Sequence, residues 1–457
     1  MNAHAHRNVD PRHRDSLRWI VGIATVALVF DGYDLVVYGT VVPTLLRDPG
    51  QLGALTPGQA GALGSYALMG VLVGALVAGA IGDRVGRRRI MLVNIAWFSI
   101  GMGLTATTTS YTAFGVLRFL TGIGVGALVA TVGALVAEFA PPDRRYFYNA
   151  IVYSGVPAGG VLAALLALLT SDSIGWRGLF LIGALPIVLL LPAALLRLPE
   201  SPQWLLARGH GERARRVAER TGVPLPEALP AQPGRAAKEK VGFAALATRR
   251  YALATFLLGL MSFSGLLLTY GLNTWLPEIM GRNGYGPSYS LSFLLTLNGG
   301  AIVGGLLASR GADRLGAQRV IAATFGLAAV SLGLLTFQLP LAVLLALVAV
   351  AGVGTLGTQV LIYGFVSHYY DTVSRAAGVA WCAGFGRLGG IVGPVVGGAL
   401  VGAGVPPTYT FYVFAGVGIA GLLVTGFVPR GTPVPAVAAP GTRADRGASV
   451  LEHERAS

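Results

Sequence analysis

Two acidic side chains lie three residues apart in the first long apolar segment of the chain, in the stretch Asp31-Gly32-Tyr33-Asp34. Residues at this spacing are about 60° apart around a helix, so both carboxyl groups lie on nearly the same face. Each acid at the centre of a bilayer costs roughly 2.5 to 3.5 kcal/mol on insertion scales, so an acidic pair at that depth indicates a function. We interpret Asp31 and Asp34 as candidates for proton coupling that titrate jointly, or for anchoring a buried cation.

The composition indicates a membrane protein. Of the 457 residues, 54% are hydrophobic and 12% are charged, whereas a soluble chain carries about 25% charged residues. The single cysteine, Cys382, excludes an internal disulfide and a cysteine metal cluster. The sequence shows no nucleophile and base pair, metal cluster or phosphate-binding loop, so we expect neither an enzyme nor a bound cofactor or metal.

Twelve apolar segments are long enough to cross a bilayer, which takes about 20 residues each. We number them spans 1 to 12, and they cover residues 19–46, 57–81, 90–109, 112–139, 147–170, 178–197, 251–279, 288–309, 319–338, 341–367, 376–402 and 408–428. The predicted fold is an all-α polytopic membrane protein.

The basic residues predict the orientation of these spans. Most of the 34 Lys and Arg residues fall in the amino-terminal arm, the carboxy-terminal tail and the loops on the same side. The opposite side has Arg47, Arg177 and Arg282, and Arg118 and Arg387 lie within spans. Because positive loops stay in the cytoplasm, we expect both termini there. This sorting explains the net charge of +14 without a nucleic-acid partner.

The longest polar interruption divides the spans six and six. We predict a cytoplasmic arm at 1–18, an amino-terminal half at 19–197, a cytoplasmic linker at 198–250, a carboxy-terminal half at 251–428 and a disordered tail at 429–457. In the linker, Ser201 and Pro202 predict the start of a short helix, and Glu212 to Arg220 predict a charged surface helix.

Short motifs recur at a constant offset of 230 residues. The residues at 82–89 are echoed at 312–319, and Gly159-Gly160 are echoed by Gly389-Gly390. A repeat of this length predicts two parallel six-helix halves. Transporters built in this way rock about a site near the middle of the membrane.

Gly79-x-x-x-Asp83-Arg84-x-Gly86-Arg87-Arg88, between spans 2 and 3, resembles the loop signature of the major facilitator superfamily. Three further stretches resemble the aromatic acid:proton symporters of that superfamily. These are Asp31 to Asp34 in span 1, Arg118 with the glycine-rich run to Glu138 in span 4, and Gly384 to Arg387 in span 11. The resemblance covers about residues 15 to 430.

The resemblance implies the major facilitator fold and a function. Such a protein takes up a small aromatic carboxylate, such as a benzoate, hydroxybenzoate, protocatechuate or gentisate, together with a proton. It implies a multi-pass protein of the bacterial inner (cytoplasmic) membrane that works as a monomer. The expected partners are the aromatic acid, the proton and the lipid bilayer.

The resemblance also implies a gating role for the loops that carry the signature. In the first loop the residues are Asp83, Arg84, Gly86, Arg87 and Arg88, with the acid near a helix N-terminus and the arginines pairing across the inner gate. The second loop adds Asp313 and Arg314. It has Ser309 for the leading glycine and Ala317-Gln318 for Arg87-Arg88, so its expected role is reduced.

Depth in the membrane separates the remaining charges. Counting 1.5 Å per residue, Asp31 and Asp34 lie about 18 to 22 Å from the cytoplasmic end of span 1, and Arg387 lies about 18 Å up span 11. Since a guanidinium group suits a carboxylate, Arg387 is the candidate for binding the substrate's carboxylate. In the alternative interpretation it pairs with Asp31 or Asp34. Arg118, roughly 9 Å from the outer end of span 4, is expected to orient these acids or to contact substrate.

Further candidates are less specific. Glu138 and His368, at cytoplasmic helix ends and related by the repeat offset, are predicted for proton release or an inner-gate contact, or are ordinary interfacial side chains. Aromatic and amide side chains are candidates for contacts with the ring: Tyr38, Tyr66, Tyr153, Tyr270, Trp275, Tyr363, Trp381, Phe385, Asn273, Asn298 and Gln359. Among them Tyr38, Asn273 and Trp381 are the predicted substrate contacts.

Two other functional classes stay open from the sequence. Span 5 contains Gly155-Val156-Pro157-Ala158-Gly159-Gly160, a partial match to the glycine and proline motif of antiporters. An exporter of drugs or metabolites, or a transporter of another organic acid, is therefore an alternative. A membrane receptor of the same fold, which binds its ligand without moving it, is the third interpretation.

Overall fold

The computed structural model describes residues 10–141, 144–225, 243–249, 251–371 and 374–429. Within those ranges the side chains at 79–83, 146, 244–245 and 376 are excluded from the description. The predicted disordered tail and the central part of the predicted linker therefore lie outside the described residues, as does the start of the amino-terminal arm.

The described chain is almost entirely helical, and each predicted span coincides with helix. Spans 1 to 4 are the helices Pro11–Arg47, Pro57–Val85, Arg87–Ala106 and Tyr111–Phe139. Spans 5 and 6 are formed by Arg145–Tyr153, Gly155–Gly183 and Pro186–Arg197. Spans 7 to 9 are the helices Ala252–Arg282, Pro287–Leu315 and Ala317–Leu334. Span 10 consists of three consecutive helical pieces, Leu341–Gly352, Val353–Gly357 and Thr358–Tyr369. Spans 11 and 12 are Arg375–Gly402 and Pro407–Phe427.

Eleven helical stretches in the described residues are long and apolar enough to cross a membrane. One of them, Phe147–Arg197, contains both predicted spans 5 and 6. The backbone leaves the helical conformation between them at Gly175, with φ 63° and ψ −176°. A side chain other than glycine is strained at this φ, so Gly175 permits the turn between two spans that follow each other without a loop.

The first helix begins earlier than predicted. It starts at Pro11 rather than at residue 19, because the Asp10 side chain accepts a hydrogen bond from the Arg12 amide and Pro11 occupies the first helical turn. Four short helices lie outside the spans: Pro49–Leu52, Pro202–Ala207, Gly211–Thr221 and Phe243–Leu246. The predicted cap is confirmed, since Ser201 Oγ accepts from the Trp204 amide.

Glycine contacts reproduce the sequence repeat in three dimensions. A Cβ at Gly122 would overlap the carbonyl oxygen of Ala67, and a Cβ at Gly352 would overlap that of Leu297. Gly352 follows Gly122 by 230 residues, and Leu297 follows Ala67 by the same offset. Small residues allow membrane helices to approach closely, so spans 2 and 4 pack in the same register as spans 8 and 10.

The same offset relates two helix caps. Arg88 donates to the carbonyl oxygens of Leu198 (2.6 Å) and Leu195 (2.7 Å) at the end of span 6. Gln318 donates to those of Val428 and Thr425, both at 2.9 Å, at the end of span 12. Gln318 therefore caps the end of span 12 as Arg88 caps the end of span 6. This shared contact explains how the second loop can have a glutamine at the position of Arg88.

The two halves contact each other near the carboxy-terminal end of span 1. A Cβ at Gly39 of span 1 would overlap the carbonyl oxygen of Asn273 in span 7. Ser65 Oγ of span 2 donates to the carbonyl oxygen of Ile391 in span 11 at 2.6 Å. Tyr153 of span 5 is 37% exposed. The described structure is thus closed on the side where span 1 ends, which is the side that the sequence predicts to be the outer one.

Candidate functional site

Asp34 and Arg118 form a buried ion pair between spans 1 and 4. Both side chains are 1% exposed, and Arg118 Nη1 donates to Asp34 Oδ1. Arg118 Nη2 lies 3.3 Å from the carbonyl oxygen of Asp34, and the guanidinium carbon lies 5.6 Å from the centroid of the Tyr38 ring. This arrangement matches the anchoring role that the sequence left open for one of the two acids. Arg118 is not presented to a substrate here.

Asp31 is buried without such a partner. Its side chain is 3% exposed, and among the described residues its Oδ1 has no hydrogen-bond partner. It interacts electrostatically with Asp34 on its own helix and with Arg387 on span 11. The two acids therefore have different surroundings: Asp34 is in direct contact with Arg118, and Asp31 interacts with Arg387 electrostatically.

Arg387 of span 11 is half-buried, and two aromatic residues precede it on the same span. Span 11 approaches span 7 closely at Gly389, where a Cβ would overlap the carbonyl oxygen of Phe263. Phe385 packs against Trp381 at a centroid distance of 5.4 Å and against Phe263 at 6.0 Å. The Trp381 indole donates to the carbonyl oxygen of Thr255 at 3.0 Å. Trp381 and Phe385 therefore pack against span 7, and Phe385, two residues before Arg387, lies on a different face of span 11.

Three tyrosines from three spans lie within electrostatic range of the same arginine. Tyr153 of span 5, Tyr270 of span 7 and Tyr363 of span 10 each interact electrostatically with Arg387. Tyr153 and Tyr270 also interact with Asp31. Arg387 and Asp31, from different halves of the chain, therefore share a polar neighbourhood.

Two predicted substrate contacts lie elsewhere. The Tyr38 hydroxyl donates to the carbonyl oxygen of Ala60 at 2.6 Å, and the residue is 1% exposed. Asn273 accepts a hydrogen bond from Asn298 Nδ2 at 2.8 Å and is part of the outer contact between the halves. In the described structure the Tyr38 hydroxyl and the Asn273 amide oxygen therefore each have a protein partner, and their contact with substrate stays a prediction.

Glu138 belongs to a cytoplasmic cluster of charges. It pairs with Arg87 and accepts a hydrogen bond from Ser201 Oγ. Next to it, Glu200 Oε1 accepts from the Arg88 amide at 3.0 Å. These contacts join the first signature loop, span 4 and the segment after span 6. They connect the amino-terminal half to the start of the linker, and the pairing of the arginines across the inner gate stays a prediction.

The other predicted gating and proton residues make fewer contacts. Arg84, Asp313 and Arg314 are exposed, and the side chain of Asp83 lies outside the described residues. His368 is exposed, with Nδ1 at 2.9 Å from the carbonyl oxygen of Gly364 on its own helix. Glu138, which lies at the corresponding position of the first half, pairs with Arg87. The second loop has Ala317 at the position of Arg87, so His368 has no equivalent arginine there.

An outer ionic cluster was not expected from the sequence. Glu278 of span 7 is 5% exposed and accepts from Arg282 Nε at 2.8 Å. Its Oε2 lies 3.8 Å from Arg47 Nη2, at the end of span 1. The ion pair with Arg47 joins the two halves. An acid one helical turn before Arg282 was the available signal, but i,i+4 pairs are common at helix ends.

No group of His, Cys, Asp or Glu side chains within the described ranges could hold a metal ion.

The chain matches the family model of the Major Facilitator Superfamily over residues 24–311 and 285–455. It is 32% identical to a benzoate transport protein of Acinetobacter baylyi, over 91% of this chain and 90% of that protein. It is 33% identical to a gentisate transporter of Corynebacterium glutamicum, over 87% and 83%.

Solved structures support the same fold. The xylose transporter of E. coli, in a partially occluded inward-open conformation, superposes with a TM-score of 0.68. That comparison covers 90% of this chain and 99% of the other, at 20% sequence identity. At this identity the likeness concerns the arrangement of the helices alone.

The Asp34–Arg118 pair predicts an asymmetry between the two acids. Asp34→Ala leaves Arg118 buried without its counter-charge, and breaking a buried pair in this way costs about 3–5 kcal/mol. Asp31→Ala, the matched control on the same helix, should cost much less. Thermal unfolding in detergent measures both, and the double variant Asp34→Ala, Arg118→Leu should recover most of the loss. Equal losses for Asp34→Ala and Asp31→Ala would contradict this assignment.

The close contact at Gly39 predicts a conformational effect. Gly39→Ala places a methyl group against the carbonyl oxygen of Asn273, and overpacking costs about 1–3 kcal/mol. That cost corresponds to roughly a 5- to 150-fold shift in an equilibrium between two states. The outer contacts should open, exposing the buried Ser65.

The measurement is labelling of Ser65→Cys by a membrane-impermeant thiol reagent, in a Cys382→Ser background. Gly39→Ala should accelerate labelling. Gly22→Ala is the matched control on the same span, because no atom lies within 4 Å of the added Cβ. Equal labelling rates in the two variants would show that Gly39 does not hold the outer side closed.

Proposed function

Because the chain belongs to the major facilitator superfamily, we propose that it is a proton-coupled importer of a small aromatic carboxylate that works by alternating access. The observation that carries this proposal is the electrostatic interaction of Arg387 in span 11 with the buried Asp31 in span 1, at mid-membrane depth and between the two halves. Relatives that transport benzoate and gentisate over most of the chain's length support the substrate class.

Arg387 binds the substrate's carboxylate in this proposal. Its guanidinium group offers a planar fork that matches a carboxylate. Arg118 is already paired with Asp34.

Asp31 carries the proton. When it is ionised, its charge and that of Arg387 compensate each other, so a second carboxylate at Arg387 would leave one negative charge unbalanced in a medium of low dielectric. When Asp31 takes up a proton, Arg387 becomes available to the substrate. Proton and substrate therefore bind together, and the loaded site has the same net charge as the empty one.

The other charged clusters serve the change of conformation. Arg47 and Glu278 with the Gly39 contact hold the outer side closed, and they must separate when the site opens outwards. Arg87, Glu138 and Ser201 hold the cytoplasmic ends of the amino-terminal half as one unit. Contacts of this strength can be remade in each cycle, which keeps the two states close in free energy.

The proposal includes the position of the chain in the cell. The distribution of Lys and Arg supports both termini in the cytoplasm, and hence a bacterial inner membrane. The two halves, at 19–197 and 251–428, would move about the site, joined by the linker at 198–250. One chain contains all the residues named for the site, so a monomer suffices.

Uptake into proteoliposomes tests this function. One proton entering with a monoanion moves no net charge, so an acidic exterior should drive uptake of labelled benzoate and 4-hydroxybenzoate. A membrane potential, worth about 2.3 kcal/mol per charge per 100 mV, should not drive it alone. Uptake that ignores the pH gradient would contradict the proposal.

Substitution of the arginine tests the binding role in the same assay. Arg387→Ala should abolish uptake, and Arg387→Lys should raise KM because it keeps the charge and loses the fork. Arg310→Ala removes an exposed arginine of span 8 and is the matched control. Normal uptake by Arg387→Ala would exclude Arg387 as the carboxylate-binding residue.

A further inference from the structure

A polar cluster lies next to Arg387, and the binding of a carboxylate does not require it. Gln359 of span 10 is 3% exposed, and its Nε2 donates to Ser262 Oγ of span 7 at 2.8 Å. The Tyr363 hydroxyl, one turn along span 10, interacts with both of these side chains. Within the described part of the chain, Gln359 Oε1 has no hydrogen-bond partner.

This cluster is fixed in place by glycines. Gly265 leaves room for Gln359, whose Oε1 lies 2.9 Å from the position that a Cβ would take. A Cβ at Gly386 would overlap Ser262 Oγ, so span 11 contacts the cluster at the residue preceding Arg387. Ser262 and Gln359 therefore orient Tyr363, which is half-buried and interacts with Arg387.

We propose that Tyr363, positioned by Ser262 and Gln359, binds a hydroxyl group on the substrate's ring, so that the protein selects hydroxylated aromatic acids over unsubstituted ones. This inference rests on the proposed function. With the carboxylate on Arg387, a substituent on the ring faces span 10, because the cluster contacts span 11 at Gly386, the residue preceding Arg387. The substituent donates to or accepts from the Tyr363 hydroxyl, and the unfilled acceptor on Gln359 allows the cluster to rearrange around it.

The chemistry predicts which acids are preferred. A site built to hydrogen-bond a hydroxyl group rejects the analogue that lacks it, because its own buried polar groups are then left unpaired. A hydroxyl next to the carboxylate is expected to bond intramolecularly and to be unavailable to Tyr363. The preferred substrates should therefore carry the hydroxyl at the 3- or 4-position of the ring.

Initial uptake rates of labelled benzoate, 3-hydroxybenzoate and 4-hydroxybenzoate test the inference in proteoliposomes with an acidic exterior. The wild-type protein should prefer at least one hydroxybenzoate to benzoate by about 10-fold, the magnitude expected for a neutral hydrogen bond. Tyr363→Phe removes only the hydroxyl and should bring the ratio close to one while benzoate uptake continues. Ser262→Ala should shift the ratio in the same direction.

Matched controls separate selectivity from general damage. Tyr412→Phe removes a hydroxyl that lies 3.1 Å from Thr336 Oγ1, far along span 12. Ser264→Ala removes a buried hydroxyl that bonds its own helix at Leu260. Both should keep the wild-type ratio. If Tyr363→Phe proves unstable, Ser262→Ala and its control measure the same preference.

The possible results distinguish this inference from the function on which it rests. A wild-type protein that prefers benzoate overturns the inference, as does a ratio that Tyr363→Phe and Ser262→Ala leave unchanged. Equal losses for all three acids would show a structural role for the cluster and would also overturn it. A wild-type protein that transports none of the three acids contradicts the proposed function itself.

Discussion

The cost of an uncompensated charge inside the membrane determines how this molecule is arranged. Four charged side chains lie deep in the bundle, and only one pair of them, Asp34 and Arg118, is joined by direct contact in a site that is almost closed to solvent. Asp31 and Arg387 interact electrostatically, from different halves of the chain. Even in the first pair, Asp34 Oδ2 and Arg118 Nε have no hydrogen-bond partner among the described residues. In the proposed function the first pair serves the structure and the second exchanges partners.

Packing makes this electrostatic arrangement possible. Glycines of spans 1, 2, 4, 5, 8, 10 and 11 let backbones approach until a methyl group would overlap a carbonyl oxygen. In lipid no hydrophobic effect holds helices together, so such contacts carry much of the specificity of association. The glycine contacts within each half repeat with the offset of 230 residues, while the contacts between halves, such as Gly39 with Asn273, do not need to. We expect the contacts within each half to stay the same, whereas the contacts between the halves can break and form again.

The sequence predicted the fold well because its main signals are large. Long apolar segments and the repeat each depend on many residues, and each predicted span coincides with helix in the described residues. The partners of individual side chains were harder to predict. Tyr38 shares a helical stripe with Asp34, yet its hydroxyl bonds Ala60 because span 2 packs there. Glu278 was missed because the ion pair with Arg47 depends on how two halves meet, which no local pattern records.

The spacing of Asp31 and Asp34 in the sequence did not show which of the two acids has which role. Both lie on nearly one face, but a rotation of about 60° directs Asp34 to span 4 and Asp31 towards span 11. The difference arises from which helices flank span 1, and it gives each acid a separate task. In this account Asp31 alone links the proton to the substrate.

The most direct measurement of that claim compares exchange with accumulation in Asp31→Asn. The amide has no charge to compensate Arg387, so substrate should bind without a proton, and exchange of labelled for unlabelled aromatic acid across proteoliposomes should continue. Accumulation driven by an imposed pH gradient should be lost. Accumulation by Asp31→Asn at the wild-type level would contradict the account, because the proton would then be carried by another group.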